Sequence, residues 1–241
     1  LAQDFNRLAL TLENNERLRR DMMADISHEL RTPLAILRGE LEALQDGVRT
    51  LTPGSLESLQ AEVATLNKLI DDLYELSLAD IGALHYRMTE VDAAALLRTA
   101  CGAFRDRLAA KSIRLELRLP ERVPSIQGDP HRLTQLFNNL LENTVRYTDP
   151  GGVLEVSARS DAGTLQLVLQ DSAPGVPDAL LPRMFDRLFR VESSRNRVSG
   201  GSGLGLAICQ RIVQAHAGTI EALPSALGGV RIAISFPLYR V

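Results

Sequence analysis

"SHELRTPLAIL", residues 27–37, sets a histidine beside a glutamate and places a proline five residues after the histidine, inside an apolar pattern. Ile26, Leu30, Leu34, Leu37, Leu41 and Leu44 recur at spacings of three and four, which marks one face of a helix turned toward a partner. The pattern reaches from about residue 8 to 48, a rod about 60 Å long at ~1.5 Å per residue. "TLTPGS" (50–55) interrupts it, and a second helix is expected to run to about Ala79 with Leu59, Val63, Leu66, Leu69, Leu73 and Leu76 along one side. Two helices with an apolar seam cannot enclose a core by themselves. The simplest closure is a second copy, so the hairpin predicts a homodimer built around a four-helix bundle.

His28 lies two positions from both Ile26 and Leu30, about 200° around the helix from each at ~100° per residue. It therefore faces outward. Thr32, four residues on, shares its face, and Pro33 cannot donate a hydrogen bond to the Glu29 carbonyl, so a bend is expected beside the histidine. An exposed neutral imidazole is a competent nucleophile when a carboxylate takes the proton from its second ring nitrogen, and Glu29 is placed to do so. The Thr32 hydroxyl both donates and accepts, which suits it to orient a water against a phosphorylated partner of His28.

The 241 residues are 45% hydrophobic, enough for one large domain or two modest ones. The net charge of -3, with dispersed basic residues, argues against nucleic acid as a partner. Cys101 and Cys209 lack any CxxC or Cys/His ligand spacing and read as reduced core thiols. No run of about 18 apolar residues and no signal-peptide pattern occurs, so the chain as given reads as soluble. It begins at Leu1 already within a helical pattern, as a piece of a longer protein would.

From about residue 86 the pattern becomes an α/β alternation. Strands are expected at 113–120, 153–159, 164–170, 218–223 and 229–236, and helices at 92–110, 130–147 and 204–216. The polar, glycine-rich "FRVESSRNRVSGGSG" (189–203) reads as a mobile lid.

Three stretches of this half carry chemistry. In "QLFNNLLENTVRYT" (135–148), Gln135, Asn139, Asn143 and Arg146 share one face. Asparagine is a middling helix former, so two on a solvated face suggest a site: amide oxygens for a Mg²⁺ that keeps several waters, and Arg146 for phosphate charge. In "LQLVLQDSAPGVP" (165–177), Asp171 continues the inward row of Leu165, Leu167 and Leu169, and a buried carboxylate needs a partner such as an adenine amino group. In "GGSGLGLAI" (200–208), Gly201, Gly203 and Gly205 precede an apolar helix whose free N–H groups could hold phosphates. A Walker A loop is excluded, because it needs Lys after its last glycine and the chain's lysines are Lys68 and Lys111. A dinucleotide fingerprint fails as well, with Leu206 where glycine is required.

"ADISHELRTPL" (24–34) strongly resembles the H box of bacterial sensor histidine kinases, and "FNRLALTLENNERLRRDM" (5–22) the end of the linker that precedes it. Residues 135–148 resemble that family's N box, 165–177 and 200–208 its two glycine boxes, "MFDRLFR" (184–190) its F box and "LGGVRIAISFPL" (227–238) its terminal strand. Arg146 stands where lysine is usual and Ala173 where glycine is usual. Phe185 and Phe189 read as anchors of the lid rather than ligand contacts.

The resemblance implies an α+β chain: an N-terminal helical hairpin forming a dimeric four-helix bundle, then an α/β sandwich ATP-binding domain of the histidine-kinase, gyrase and chaperone type. It divides the chain into the end of a signalling linker helix (1–20), a dimerisation and phosphotransfer domain (21–84) and a catalytic ATP-binding domain (85–241). Its catalytic residues would be His28, Glu29 and Thr32. ATP would be held by Asn139, Asn143, Arg146, Tyr147, Asp171, Gly175, Gly201, Gly203, Gly205 and Leu206, with Mg²⁺ on Asn139 and Asn143. The implied activity is autophosphorylation of His28 and transfer to an aspartate of a response regulator, with regulator phosphatase activity besides. The implied setting is the cytoplasmic portion of a bacterial inner-membrane protein that answers envelope stress. Two rival classes are an ATPase of the gyrase, chaperone and mismatch-repair group, which leaves His28 without a role, and a non-catalytic dimeric scaffold, which leaves the asparagine and glycine set without one.

Overall fold

The computed structural model describes residues 2–191 and 201–239, with side chains from residue 23 onward. The chain divides into two compact units, Leu1–Tyr74 and Glu75–Val241. The expected lid at 189–203 thus lies, for 192–200, outside the described residues.

The first unit is the hairpin as far as Tyr74, the end of its second helix falling in the second unit. Helix α1 (Ala2–Gln45) runs unbroken through Pro33, and α2 (Pro53–Asp80) begins on a proline, whose missing N–H costs nothing at a helix start. Thr52 and Ser55 cap that start reciprocally: the Ser55 amide donates to Thr52 Oγ1 at 3.1 Å and the Thr52 amide to Ser55 Oγ at 2.8 Å. Gly47, at φ +69°, supplies the left-handed residue that lets the chain leave α1. Ser58 Oγ donates to Glu40 Oε1 at 3.1 Å, linking the returning arm to the first.

The expected single seam on α1 is two faces. Ile26, Leu30, Leu37 and Leu44 are half-buried and share their side with Pro33, which is buried. Leu34 and Leu41 instead stand 60% and 55% exposed. On α2, Leu69 and Leu76 are buried while Leu56, Val63 and Ile70, at intervals of seven, remain exposed. An apolar pattern at three and four spans a stripe wider than one partner helix covers, so a single contact leaves its second edge in solvent.

The second unit is a sandwich. Strands β2 (Arg114–Arg118), β4 (Val153–Asp161), β5 (Thr164–Ser172), β6 (Thr219–Pro224) and β7 (Gly228–Pro237) form one sheet in the order β2-β4-β5-β7-β6, with β2 parallel to β4 and the other pairs antiparallel. Alternate residues Leu154, Val156, Leu165, Leu167, Ile232, Ile234 and Phe236 are buried, as period two demands of a sheet covered on one face. The covering layer is α3 (Ala93–Ala103), α5 (Pro130–Tyr147) and α6 (Gly205–Ala215). Fully buried Leu97, Leu133, Leu136, Phe137 and Leu141 fill the space between, each contributing about 1.5–3 kcal/mol of apolar transfer.

Two local features depart from the sequence reading. The helix expected over 92–110 is two, α3 and α4 (Arg105–Ala110), divided at Phe104, so that Phe104 and Leu108 both reach the core. A two-stranded sheet of β1 (Thr89–Val91) and β3 (Ile126–Gly128) was not expected, because three paired residues are too few to display an alternation. Cys101 and Cys209 are both buried, and burial pushes the Cys101 thiol up to about 11.

Candidate functional site

In the first unit, His28 is exposed on α1 and Glu29 beside it is half-buried. Thr32, one turn on, is exposed and donates from Oγ1 to the His28 carbonyl at 3.2 Å. The three residues form one patch of helix surface, with the imidazole open to a reactant.

In the second unit the site grows from the start of α5. Asp129 caps this helix, accepting from the amides of His131 at 2.9 Å and Arg132 at 3.2 Å. Ten residues on, Asn139 donates from Nδ2 to the Gly205 carbonyl at 3.5 Å, joining α5 to the first turn of α6. That bond assigns the amide so that Oδ1 is left to accept or to ligate. Asn143 lies one turn further along, half-buried.

Arg146 and Tyr147 lie against Gly201: a Cβ there would overlap Arg146 Nη1 and lie 3.4 Å from Tyr147 Oη. Gly203, at φ +68°, is back to back with Leu188 of the F-box stretch; a Cβ would meet Leu188 Cα at 2.8 Å, and the Leu188 amide donates to the Gly203 carbonyl at 3.0 Å. Leu188 itself adopts φ +60°, a strained value for a leucine. Gly205 opens α6 and Leu206 is half-buried in its first turn. The glycine loop and the polar face of α5 thus meet. Phe185 is buried and Phe189 lies under the Arg183 guanidinium at 4.7 Å.

At the other side of α5, Asp171 Oδ1 accepts from the Val230 amide at 2.7 Å, and Gly229 must lack a Cβ because one would overlap that same oxygen. Burial pushes the Asp171 carboxyl up to about 6 against the opposing pull of the Val230 amide and of the Thr148 and Thr144 hydroxyls. Gly175 faces the Gly228 carbonyl, which a Cβ would meet at 2.9 Å. Ala173 is not in the left-handed region, so the backbone at that position does not demand glycine. The sequence reading missed Thr144, Thr148 and Gly229. The signal for the threonines was present, as two hydroxyls four residues apart on the apolar side of α5.

The donor set fits a nucleotide and its metal in a particular way. Among the described residues no cluster of three His, Cys, Asp or Glu gathers, so a Mg²⁺ would rest on the Asn139 and Asn143 amide oxygens together with phosphates, the oxygen-rich and incomplete shell this ion favours. The half-buried Asp171 carboxylate keeps lone pairs beyond the Val230 bond, which suits an amino group.

Residues 18–82 match the His Kinase A phospho-acceptor domain, and residues 128–240 match the histidine kinase-, DNA gyrase B- and HSP90-like ATPase family. The chain belongs to the sensor histidine kinases. It is 59% identical over 240 residues to the signal transduction histidine-protein kinase BaeS of Escherichia coli, covering 100% of this chain and 51% of that protein. The chain therefore spans about half the length of that relative. The histidine kinase AdeS of Acinetobacter baumannii superposes with a TM-score of 0.71 at 28% identity, over 88% of this chain and 98% of that one. The histidine kinase ThkA in complex with the response regulator protein TrrA superposes at 0.73 and 21% identity, over 93% and 64% of the two chains, and shares the fold. No helix among the described residues is long and apolar enough to cross a membrane.

Proposed function

We propose that this chain is an ATP-dependent protein-histidine kinase core that phosphorylates itself on His28 and passes the phosphoryl group to an aspartate of a response regulator. The observation that carries this is the pairing, within one chain, of an exposed histidine having a carboxylate beside it with a mouth where Asn139 and Arg146 close on Gly205 and Gly201.

Asp171 accepts from the adenine amino group, the N–H groups at the start of α6 receive phosphate oxygens, and Arg146 offsets their charge. Mg²⁺ on Asn139 and Asn143 would supply further charge neutralisation. A His28 ring nitrogen attacks the γ-phosphorus as the bond to the β,γ-bridging oxygen breaks and ADP leaves. Glu29 takes the proton from the other ring nitrogen. Positioning and charge stabilisation supply most of the rate. In the reverse direction Thr32 orients the water that releases phosphate from the regulator.

The partition into residues 1–20, 21–84 and 85–241 follows from the same reading. So does a homodimer, since Leu34, Leu41, Leu56, Val63 and Ile70 leave an apolar face uncovered. The likeness to BaeS supports a membrane-anchored parent with an envelope-stress role, this chain being its cytoplasmic portion. The regulator bound to ThkA supports a receiver domain as the partner.

The test is incubation with γ-labelled ATP and Mg²⁺. Acid-labile, base-stable label is expected on the parent and absent from His28→Gln; equal labelling of both rejects the assignment. Asn143→Ala should lose label while keeping the parent's oligomeric state.

A further inference from the structure

Helix α4 and its C-cap residue Lys111 set two cations, one turn apart, against the end of α5. Lys111 Nζ donates to the Arg146 carbonyl at 3.3 Å, satisfying one of the groups a helix leaves open in its last turn. Arg107 donates to Glu142 with both terminal nitrogens, Nη1 to Oε2 at 2.7 Å and Nη2 to Oε1 at 2.9 Å. The Arg107 guanidinium also lies over the Phe104 ring at 5.0 Å, so it is fixed from two sides. One turn along α5 from Glu142, Arg146 places Nη2 at 3.7 Å from the same Oε1. Its other terminal nitrogen, Nη1, lies against the glycine loop, where a Cβ on Gly201 would overlap it. Arg107, Glu142 and Arg146 thus form a row of alternating charge that runs from α4 to the loop.

The Arg107 and Glu142 side chains are 50% and 31% exposed, and ion pairs in such settings add little to stability. A bidentate pair with a stacked guanidinium therefore acts here through geometry. The guanidinium of Arg146 presents its donors in a rigid plane, so its direction matters in a way that the point charge of a lysine does not. Fixing that plane in advance removes rotamer freedom that phosphate binding would otherwise have to freeze. We propose that Arg107 and Glu142 are positioning residues for phosphate binding: Glu142, braced by Arg107, anchors one side of the Arg146 guanidinium so that the other faces the phosphates at Gly201. The inference rests on the nucleotide reading above and extends it to two residues outside the glycine loop and the asparagine face.

Calorimetric titrations of the whole chain with ADP, and with adenosine, which lacks phosphates, test this. Arg107→Met should weaken ADP binding roughly two- to tenfold, the range for freeing one long side chain, and leave adenosine binding and melting temperature at the parent's values. Glu142→Met separates positioning from charge. Removing a carboxylate near phosphates would by charge alone tighten ADP binding, whereas loss of the anchor weakens it, and weakening is expected. In an Arg146→Lys background, Glu142→Met should no longer weaken ADP binding, because an ammonium has no plane to align. If Glu142→Met binds ADP as tightly as the parent or more so, or if Arg107→Met weakens ADP and adenosine equally, the positioning role is overturned while the nucleotide reading stands. A parent chain that binds no ADP overturns both.

Discussion

The backbone N–H of Asp129 donates to Nε2 of His216 at 2.9 Å, joining the N-cap of α5 to the C-cap of α6. His216 Nδ1 faces the Ile212 carbonyl at 2.7 Å, which can only accept, so Nδ1 carries the proton and the ring is neutral. Gly128 makes room for it: a Cβ would lie 2.8 Å from Leu133 Cδ1 and 3.0 Å from His216 Cδ2.

Burial lowers the His216 pKa below its ordinary 6.5. A histidine depressed in the folded state contributes stability that is complete above the unfolded value and is lost as pH falls below it. As pH falls below about 6.5, the parent's melting temperature should therefore fall relative to that of His216→Phe. A variant with an acid limb as steep as the parent's would show that other groups dominate it.

Asp171 acts with the opposite sign. Its folded pKa is raised from 3.8 to about 6, so the folded state holds the proton more tightly and stability falls as pH rises through that interval. Above pH 6 the ionised carboxylate costs about 3 kcal/mol. Asp171→Asn, which keeps an acceptor for the Val230 amide, should melt higher than the parent at pH 7.5 and show no advantage at pH 4, while ADP binding drops at least tenfold. A lower melting temperature at pH 7.5 would contradict the desolvation account.

Gly203→Ala introduces a Cβ at φ +68° against the Leu188 backbone. It should cost about 1–3 kcal/mol and weaken ADP binding, since loop and F-box segment must separate. Gly102→Ala, with open space around it, serves as the control and should leave both unchanged.

Leu34→Glu and Ile70→Glu place charge on side chains already 60% and 50% exposed. Light scattering should report a monomer with helicity retained. A dimer that persists through both changes would move the interface elsewhere.

Thr32→Ala removes a hydroxyl that donates to the His28 carbonyl, without touching the imidazole. Dephosphorylation of a phosphorylated response regulator should slow more than autophosphorylation does, and the opposite ranking would remove the water-orienting role from Thr32.

Long periodic elements were legible from residue order alone. The hairpin, the five-stranded sheet, α5 and α6 all lie within a few residues of where apolar periodicity puts them, because burial on one face imposes a period wherever an element lasts several turns or pleats. The placement of the motifs on their elements was legible for a related reason. Gly201, Gly203 and Gly205 before an apolar helix, and Asn139 and Asn143 on one face, keep their meaning at fixed local spacing.

Contacts between residues far apart in the chain were not. Asp129 and His216 are 87 positions apart and Asp171 and Val230 are 59 apart. No periodicity reports such pairs, since each depends on how independently formed elements stack. The same holds for Pro33, which seemed misplaced in its helix and proves to share the least exposed side of α1. Residue order determined which elements form and which side chains each one carries. Packing decided which side chains meet, because burial and hydrogen-bond satisfaction are settled across the whole core at once.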